Sequence, residues 1–151
     1  MSDRNVIQRV VDEFAKGLEM VRKSGSWYRH TDSLVTILNL QKSQYAPKYY
    51  LNIAFWLMEL GSERFPKENA AHVRIRLDRL LPDAADEITK LLDLDSGMAD
   101  PKREEGLRAI LNSRLRPILD GTTTVEDLRQ LKLTGVLKGA AVRVAAQEAI
   151  K

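Results

Sequence analysis

The chain has 151 residues, of which 44% are apolar, and a formal net charge of +3, so it can bury one ordinary hydrophobic core and is too apolar to be disordered throughout. It contains no cysteine, which excludes disulfide bonds, thiol nucleophiles and thiolate metal sites. It has no run of about 18 apolar residues that could span a membrane, and its acidic N-terminus lacks the apolar core of a secretory signal, so a cytoplasmic location is expected.

The N-terminal segment predicts an amphipathic helix. From residue 4 to residue 23, apolar side chains recur at three- and four-residue steps, which is typical of a helix with one buried stripe. Ser2 or Asp3 is expected to cap the start of this helix. Ser24 and Gly25 are expected to end it, because glycine accepts the left-handed conformation found at many helix C-termini.

Three strands are predicted next. SWYRHT at residues 26–31 is the first, and the stretch from 34 to 58 contains two more, joined at residues 44–48. In the last of these strands one face is apolar throughout, with Tyr49, Leu51, Ile53, Phe55 and Leu57. In the strand before it, one face begins with the apolar residues Val35 and Ile37 and continues with the polar residues Asn39, Gln41 and Ser43. This pattern indicates a sheet that is covered on one face and partly open on the other.

A loop containing Gly61 and Pro66 separates these strands from a second distinctive segment, AHVRIRLDRLLP. Apolar and polar residues alternate in this segment, which predicts a fourth strand up to about Leu77. A helical stripe through the same residues is the alternative. Residues 82–96 fit either a short helix or an edge strand.

Helices are predicted for the rest of the chain. Asp100 is expected to cap the first of them and Pro101 to occupy its first position. Pro117 should kink or end this helix, because proline removes a hydrogen-bond donor and clashes with the preceding turn. Gly121 should stop it.

Two further helices complete the prediction. Thr123 and Glu126 have the spacing of a capping box and should start a short helix. Residues 136–150 should form a last amphipathic helix that packs on the body of the protein, or on a second copy, through Val136, Leu137, Ala140, Ala141 and Val144. The predicted fold is therefore one α+β domain over residues 1–151, with an N-terminal helix, an antiparallel sheet of four or five strands, and C-terminal helices packed on one face.

The segments WYRH, NLQKSQY, YYLNIAFW and AHVRIRL resemble a bacterial family named for its domain of unknown function 4304. The N-x-QKS strand, the Asn among apolar residues and the His-x-Arg-x-Arg segment of that family correspond here to Asn39, Gln41, Lys42 and Ser43, to Asn52, and to His72, Arg74 and Arg76. The resemblance covers residues 5–120, so residues 121–151 are expected to be a C-terminal helical extension. Ala71 stands where members often have cysteine, and the tryptophans that often follow the arginines are absent. The resemblance implies a fold and no activity.

The polar residues of the predicted strands form the candidate ligand-binding site. If the strands pair as neighbours, one surface of the sheet carries Asn39, Gln41, Ser43, Asn52, His72, Arg74 and Arg76. Amides and guanidinium groups together suit a carboxylate or a phosphate. Arginines without carboxylate partners would hold positive potential on this face, and the hypothesis fails if Asp or Glu of the same chain saturates both guanidinium groups. The alternative is structural: the amides pair with each other or with the backbone, and the arginines pair with Asp78, Glu59 or Glu63.

No catalytic, metal or cofactor site is predicted. Neither His72 nor His30 has a partner base or nucleophile at an informative spacing, so a structural or surface role is expected for both. The acidic residues from Asp93 onward fail the calcium-loop pattern, because Gly97 and Met98 occupy its fifth and sixth positions. The Walker loop and the GxGxxG and HExxH motifs are also absent.

The first functional hypothesis is a non-enzymatic binding module whose polar face holds a protein partner or a small anionic ligand. The alternative is an enzyme that acts on a phosphorylated or carboxylated small molecule, with His72, Arg74 and Arg76 in its site. A second alternative is weak nucleic-acid binding through the C-terminal helices, because residues 101–151 hold ten Lys and Arg against six Asp and Glu. Nucleic-acid binders usually carry a denser basic patch, so neither nucleic acid nor membrane is the expected partner. The sequence leaves the oligomeric state open.

Overall fold

The computed structural model describes residues 4–151. Six strands form one antiparallel sheet in chain order: β1 (Val21–Lys23), β2 (Ser26–His30), β3 (Leu34–Lys42), β4 (Tyr49–Leu57), β5 (Val73–Arg76) and β6 (Ala141–Val142). The helices are α1 (Val6–Gly17), α2 (Leu77–Leu80), α3 (Ala85–Leu91), α4 (Asp100–Ile110), α5 (Arg116–Asp120), α6 (Val125–Leu133) and α7 (Val144–Ala149). The predicted α+β class, the N-terminal helix and the antiparallel sheet are confirmed. The predicted four or five strands are wrong, because neither edge strand was expected. None of the helices in residues 4–151 is long and apolar enough to cross a bilayer.

The N-terminal helix is shorter than predicted and is followed by a hairpin. It ends at Gly17, and Glu19 takes a positive φ of 59°. Ser24 and Gly25, with φ of 53° and 83°, form the two-residue turn between β1 and β2. Positive φ at both turn residues matches the twist of the flanking strands. The prediction that Ser24 and Gly25 end a helix is therefore wrong, because they turn a hairpin instead.

Asn5 caps α1. Its side chain accepts a hydrogen bond from the Gln8 N–H, and the Gln8 side chain accepts one from the Asn5 N–H, each at 3.0 Å. This reciprocal arrangement satisfies two N–H groups that a helix start otherwise leaves unpaired. Asn5 Nδ2 also donates to the Tyr49 hydroxyl at 2.9 Å, which joins the helix start to β4. The predicted caps Ser2 and Asp3 lie outside the described residues.

The two faces of the sheet divide as predicted. The apolar face of β4 is buried in the main core, against α1 and the C-terminal helices, through Tyr49, Leu51, Ile53, Phe55 and Leu57. On the opposite face a second, smaller core contains Tyr28, Val35, Ile37, Ala54, Trp56 and Ala71, with Phe65 from the β4–β5 loop packed against it. This loop covers only the apolar half of the second face. The polar half stays open to solvent.

A π turn at residues 111–115 separates α4 from α5. Its last bond runs from the Arg116 N–H to the Leu111 carbonyl, directly before Pro117, which has no N–H to donate. The predicted distortion at Pro117 is confirmed, and Gly121 follows α5 as predicted. Asp100 does not cap α4: it is the first helical residue, no side chain caps this helix, and Pro101 takes the second position.

Residues 82–96 are mainly helical. A 3₁₀ turn at residues 82–84 leads into α3, and beyond it Asp93 forms an isolated bridge with Lys48. The strand alternative is therefore reduced to one residue pair.

The capping box of α6 lies one residue later than predicted. Thr124, and not Thr123, accepts from the Asp127 N–H at 3.0 Å. Asp127, and not Glu126, supplies the carboxylate, which accepts from the N–H groups of Thr123 and Thr124. The predicted short helix is present, but it starts at Val125, one residue later than a Thr123 cap implies.

The C-terminal segment is not the single helix predicted over residues 136–150. It pairs along β5 through β6, the Arg143 N–H donates to the His72 carbonyl at 2.9 Å, and α7 follows. Leu137 and Ile150 are buried, whereas the predicted contact residue Val144 is 81% exposed. The segment therefore covers one edge of the sheet.

Candidate functional site

The open half of the sheet carries a row of polar residues on adjacent strands. Asn39 of β3 lies opposite Ser26 of β2 and Asn52 of β4, and Asn52 also lies opposite Arg76 of β5. Directly opposed residues share a face of a sheet, and so do residues two positions apart along a strand. The structure thus brings five of the predicted site residues to one side of the sheet: Asn39, Gln41, Asn52, Arg74 and Arg76.

The amides of this row bond to one another. Asn39 Nδ2 donates to Ser26 Oγ at 3.0 Å. Asn52 Nδ2 donates to Asn39 Oδ1 at 3.2 Å and to Gln41 Oε1 at 3.1 Å. This is the mutual pairing that the structural alternative expected. Within residues 4–151, Gln41 Nε2 and Asn52 Oδ1 make no hydrogen bond, so one donor and one acceptor remain for a ligand.

A concavity of about 500 Å³, here called the polar groove, opens beside this row. Strands β1 to β5 form its floor, and the β4–β5 loop forms one wall. Its lining consists of Lys23, Ser24, Ser26, Tyr28, Asn39, Gln41, Asn52, Phe65, Lys67, Glu68, Asn69 and Arg74. Four of the predicted site residues therefore contribute to one cavity.

Both arginines have carboxylate partners, as the structural alternative expected. Arg74 donates through Nε to Glu68 Oε2 and through Nη2 to Glu68 Oε1, each at 3.1 Å. Arg76 donates to both carboxylate oxygens of Asp78, at 3.1 and 3.2 Å. The sequence alternative named Asp78 correctly but did not include Glu68. Neither guanidinium is saturated, because the Nη1 group of each makes no hydrogen bond in the described part of the chain.

The charge of the polar groove is positive. Lys23 and Lys67 are both exposed and form no ion pair with any residue from 4 to 151. The Lys23 ammonium lies 4.2 Å from the centre of the Phe65 ring. In the described part of the chain, the groove lining thus holds three cations, Lys23, Lys67 and Arg74, and one carboxylate, Glu68. Unpaired cations on a concave surface create a positive potential that attracts anions.

A second concavity, here called the edge groove, continues from the first. It has a volume of about 290 Å³ and is lined by Asn52, Glu68, Arg74, Ile75, Arg76, Arg79, Gly139 and Ala141. The two grooves share Asn52, Glu68 and Arg74. Arg76 lines the edge groove and not the polar groove. Its guanidinium carbon lies 4.8 Å from the centre of the Tyr50 ring.

His72 and Ser43 lie outside both grooves. His72 is 6% exposed, its Nδ1 accepts the Leu57 N–H at 2.8 Å, and its ring lies 4.1 Å from that of Trp56. Burial lowers the pKa of His72, which keeps the imidazole neutral and suited to accept this bond. Ser43 Oγ accepts from the Tyr45 N–H in the β3–β4 turn. Both side chains have local structural partners.

The predicted site did not include several groove residues, among them Ser26 on β2, and Lys67 and Glu68 in the β4–β5 loop. Ser26 could have been found, because it alternates with Tyr28 on a strand predicted to pair with Asn39. Lys67 and Glu68 lie in a loop without periodicity, so no local signal indicates their position. Among residues 4–151, no cluster of three His, Asp or Glu could hold a metal ion.

Comparison with known proteins identifies one match. A family model described as Domain of unknown function (DUF4304) matches residues 15–121, which is more than two thirds of the chain. No curated protein and no solved structure matches the chain. The matched range includes β1 to β5 with their connecting turns and the β4–β5 loop, and thus every lining residue of the polar groove.

Proposed function

Because the chain belongs to the family described as Domain of unknown function (DUF4304), whose description assigns no activity, we propose a function from the site: the protein is a binding module that holds a carboxylate or phosphate group of its partner in the polar groove. The observation that carries this proposal is the pair of lysines, Lys23 and Lys67, which have no ion-pair partner among the described residues and flank a cavity of about 500 Å³.

The other lining groups support the same ligand chemistry. Arg74 is held in place by its two bonds to Glu68 and keeps Nη1 available toward a ligand. Gln41 Nε2 adds a neutral donor. Charged donors form the strongest hydrogen bonds to carboxylates and phosphates, and neighbouring neutral donors help to orient the anion. The volume lies within the range of roughly 300–1,000 Å³ that is typical of small-molecule sites.

The enzyme alternative draws no support from His72. A general acid or base must reach the reacting group by a hydrogen bond. His72 is buried beside Trp56, and its Nδ1 is occupied by the Leu57 N–H. Glu68 lines the groove, but both of its carboxylate oxygens accept from Arg74.

Ion pairing in the C-terminal third weakens the nucleic-acid alternative. Of the basic residues in the C-terminal third, several form ion pairs, namely Arg108 with Glu13 and Glu104, Arg114 with Asp83, Arg116 with Asp120, and Arg129 with Glu126. Arg103 is buried and donates to the carbonyl groups of Lys90, Leu91 and Met98. These pairings reduce the positive charge that this region presents to a polyanion.

A charge-reversal experiment tests the proposal. We expect inorganic phosphate, succinate or adenosine monophosphate to raise the Tm of the natural protein, because a ligand that binds only the folded state stabilises it. The double variant Lys23→Glu/Lys67→Glu should lose this rise. The matched control is Lys90→Glu/Lys102→Glu, which changes net charge equally at exposed positions on α3 and α4.

Two outcomes contradict the proposal. In the first, none of the anions raises the Tm at low ionic strength. In the second, the rise is the same in both double variants, which would indicate that the anions act through net charge and not through the polar groove. Arg74→Ala is avoided here, because it would leave the buried Glu68 carboxylate unpaired and would disturb folding together with binding.

A further inference from the structure

We propose that the polar groove and the edge groove together form one track for an extended acidic peptide that lies across the strands of the sheet. This inference rests on the proposed function and specifies its partner. It assigns to the ligand a length and a class of chemistry, and it adds Arg79 to the binding residues.

The geometry of the two grooves supports a long ligand. Their linings meet at Asn52, Glu68 and Arg74 and extend from Lys23 on β1 to Ala141 on β6. The combined surface therefore crosses every strand of the sheet. Adjacent strands are about 4.8 Å apart, so five spacings span roughly 24 Å, which equals about seven residues of extended peptide at 3.4 Å per residue. A compact anion would fill only one of the two grooves.

Positive charge continues along the whole track. Lys23 and Lys67 lie in the polar groove and Arg79 lies in the edge groove. Between them, Arg74 is paired with Glu68 and Arg76 with Asp78, and each keeps its Nη1 group available. Arg79 is exposed and, like the two lysines, makes no ion pair within residues 4–151. Cations distributed over this distance match a ligand with several separated negative charges, because a single phosphate or carboxylate contacts only those nearest to it.

The neutral groups of the track suit a peptide backbone. Gln41 Nε2 is an available donor, Asn52 Oδ1 is an available acceptor, and the exposed Asn69 amide offers both. A peptide presents N–H and C=O groups at each residue and can pair with such amides.

The aromatic residues of the track favour a peptide over single-stranded nucleic acid. Binding of unpaired bases usually depends on open aromatic faces for stacking. Tyr28 is 4% exposed, and its hydroxyl donates to the Pro66 carbonyl. The Phe65 ring is occupied by the Lys23 ammonium at 4.2 Å and by the rings of Tyr28 and His30, each with its centroid at 5.1 Å. Neither ring of the grooves offers a free stacking surface.

Fluorescence anisotropy with labelled peptides of four and eight glutamates tests the inference. The octapeptide should bind at least ten times more tightly than the tetrapeptide at low salt, because only the longer peptide reaches both grooves. Lys67→Glu and Arg79→Glu should each weaken octapeptide binding at least five-fold. Lys102→Glu, the matched control on α4, should leave it unchanged. The Arg79 stem packs against Gly139, so Arg79→Gln, which keeps most of this stem, should weaken binding in the same direction without lowering the Tm.

Several results would overturn the inference and would separate it from the proposed function. If both peptides bind with equal affinity and neither Arg79 variant changes it, binding is confined to the polar groove and the track is refuted. Tighter binding of an oligothymidylate of eight nucleotides would favour nucleic acid over peptide. If neither peptide binds while small anions still raise the Tm, the track is refuted and the anion site stands. If small anions also fail, both proposals are refuted.

Discussion

Replacing Glu68 with glutamine should weaken folding and strengthen anion binding. The Glu68 side chain is 7% exposed, and that of its partner Arg74 is 39% exposed. Glutamine keeps one acceptor oxygen but places an NH₂ group opposite a guanidinium N–H, so one of the two charged hydrogen bonds at 3.1 Å is lost. Such bonds contribute about 1.5–3 kcal/mol when buried. Solvent screening at the exposed arginine reduces this to about 1–2 kcal/mol.

This loss of stability should be measurable as a change in Tm. For a chain of this size, 1 kcal/mol corresponds to a shift of about 2–4 °C, so Glu68→Gln should lower the Tm by roughly 2–8 °C. The same variant removes Glu68, the one acidic residue that lines the polar groove within residues 4–151, and frees part of the Arg74 guanidinium. One additional charged hydrogen bond to a ligand is on the order of a ten-fold gain in affinity, because each 1.4 kcal/mol is a factor of ten.

Calorimetric titration of phosphate, combined with thermal unfolding, measures both effects on the same protein sample. The matched control is Asp83→Asn, which removes one carboxylate from a bidentate pair with Arg114, at 2.9 and 3.1 Å, outside both grooves. The control should not change the affinity for phosphate. A Glu68→Gln variant that binds phosphate more weakly than the natural protein would refute the reasoning, because it would assign Glu68 a direct role in holding the ligand.

Three further predictions concern stability. Burial raises the pKa of Asp12, but hydrogen bonds from Arg4, Trp27 and Lys16 outweigh burial and hold the pKa well below its usual range. The carboxylate therefore stabilises the fold above the unfolded pKa of about 3.9, and this contribution is lost as the pH falls below it. In urea titrations, the loss in free energy of unfolding caused by Asp12→Asn should therefore be smaller at pH 3 than at pH 7. A loss that is the same at both pH values would contradict this. Phe55→Ala should lower the free energy of unfolding by about 3–5 kcal/mol, since large buried side chains leave cavities, whereas a loss under about 1 kcal/mol would mean an exposed face. Truncation after residue 135 removes β6, α7 and the buried Leu137 and should lower the Tm; an unchanged Tm would show that the C-terminal segment is a dispensable extension.

Local patterns in the sequence predicted the centre of the sheet. Alternation places Asn39 and Asn52 on one face and Phe55 on the other, because successive side chains of a strand point in opposite directions whatever the strand pairs with. The half-open second face follows from the same rule. The predicted strands correspond to β2 to β5, although Leu77, predicted to end the fourth strand, instead begins α2. The family was also identified from short segments at these strands, namely WYRH, NLQKS and HVRIR.

Tertiary contacts decided the rest. Val21 continues the apolar stripe of α1, yet it lies on β1, because the chain reverses at residues 24–25 and pairs with β2. Residues 141–142 form a strand only because β5 offers an unpaired edge. Glu68 reaches Arg74, and Lys67 reaches the polar groove, through a loop whose path no periodicity describes. Strand pairing and ion pairing between distant residues depend on the assembled sheet. The sequence alone therefore determined which polar residues of one strand share a face. The folded chain determined which strands meet and which of these residues keep a free donor for a ligand.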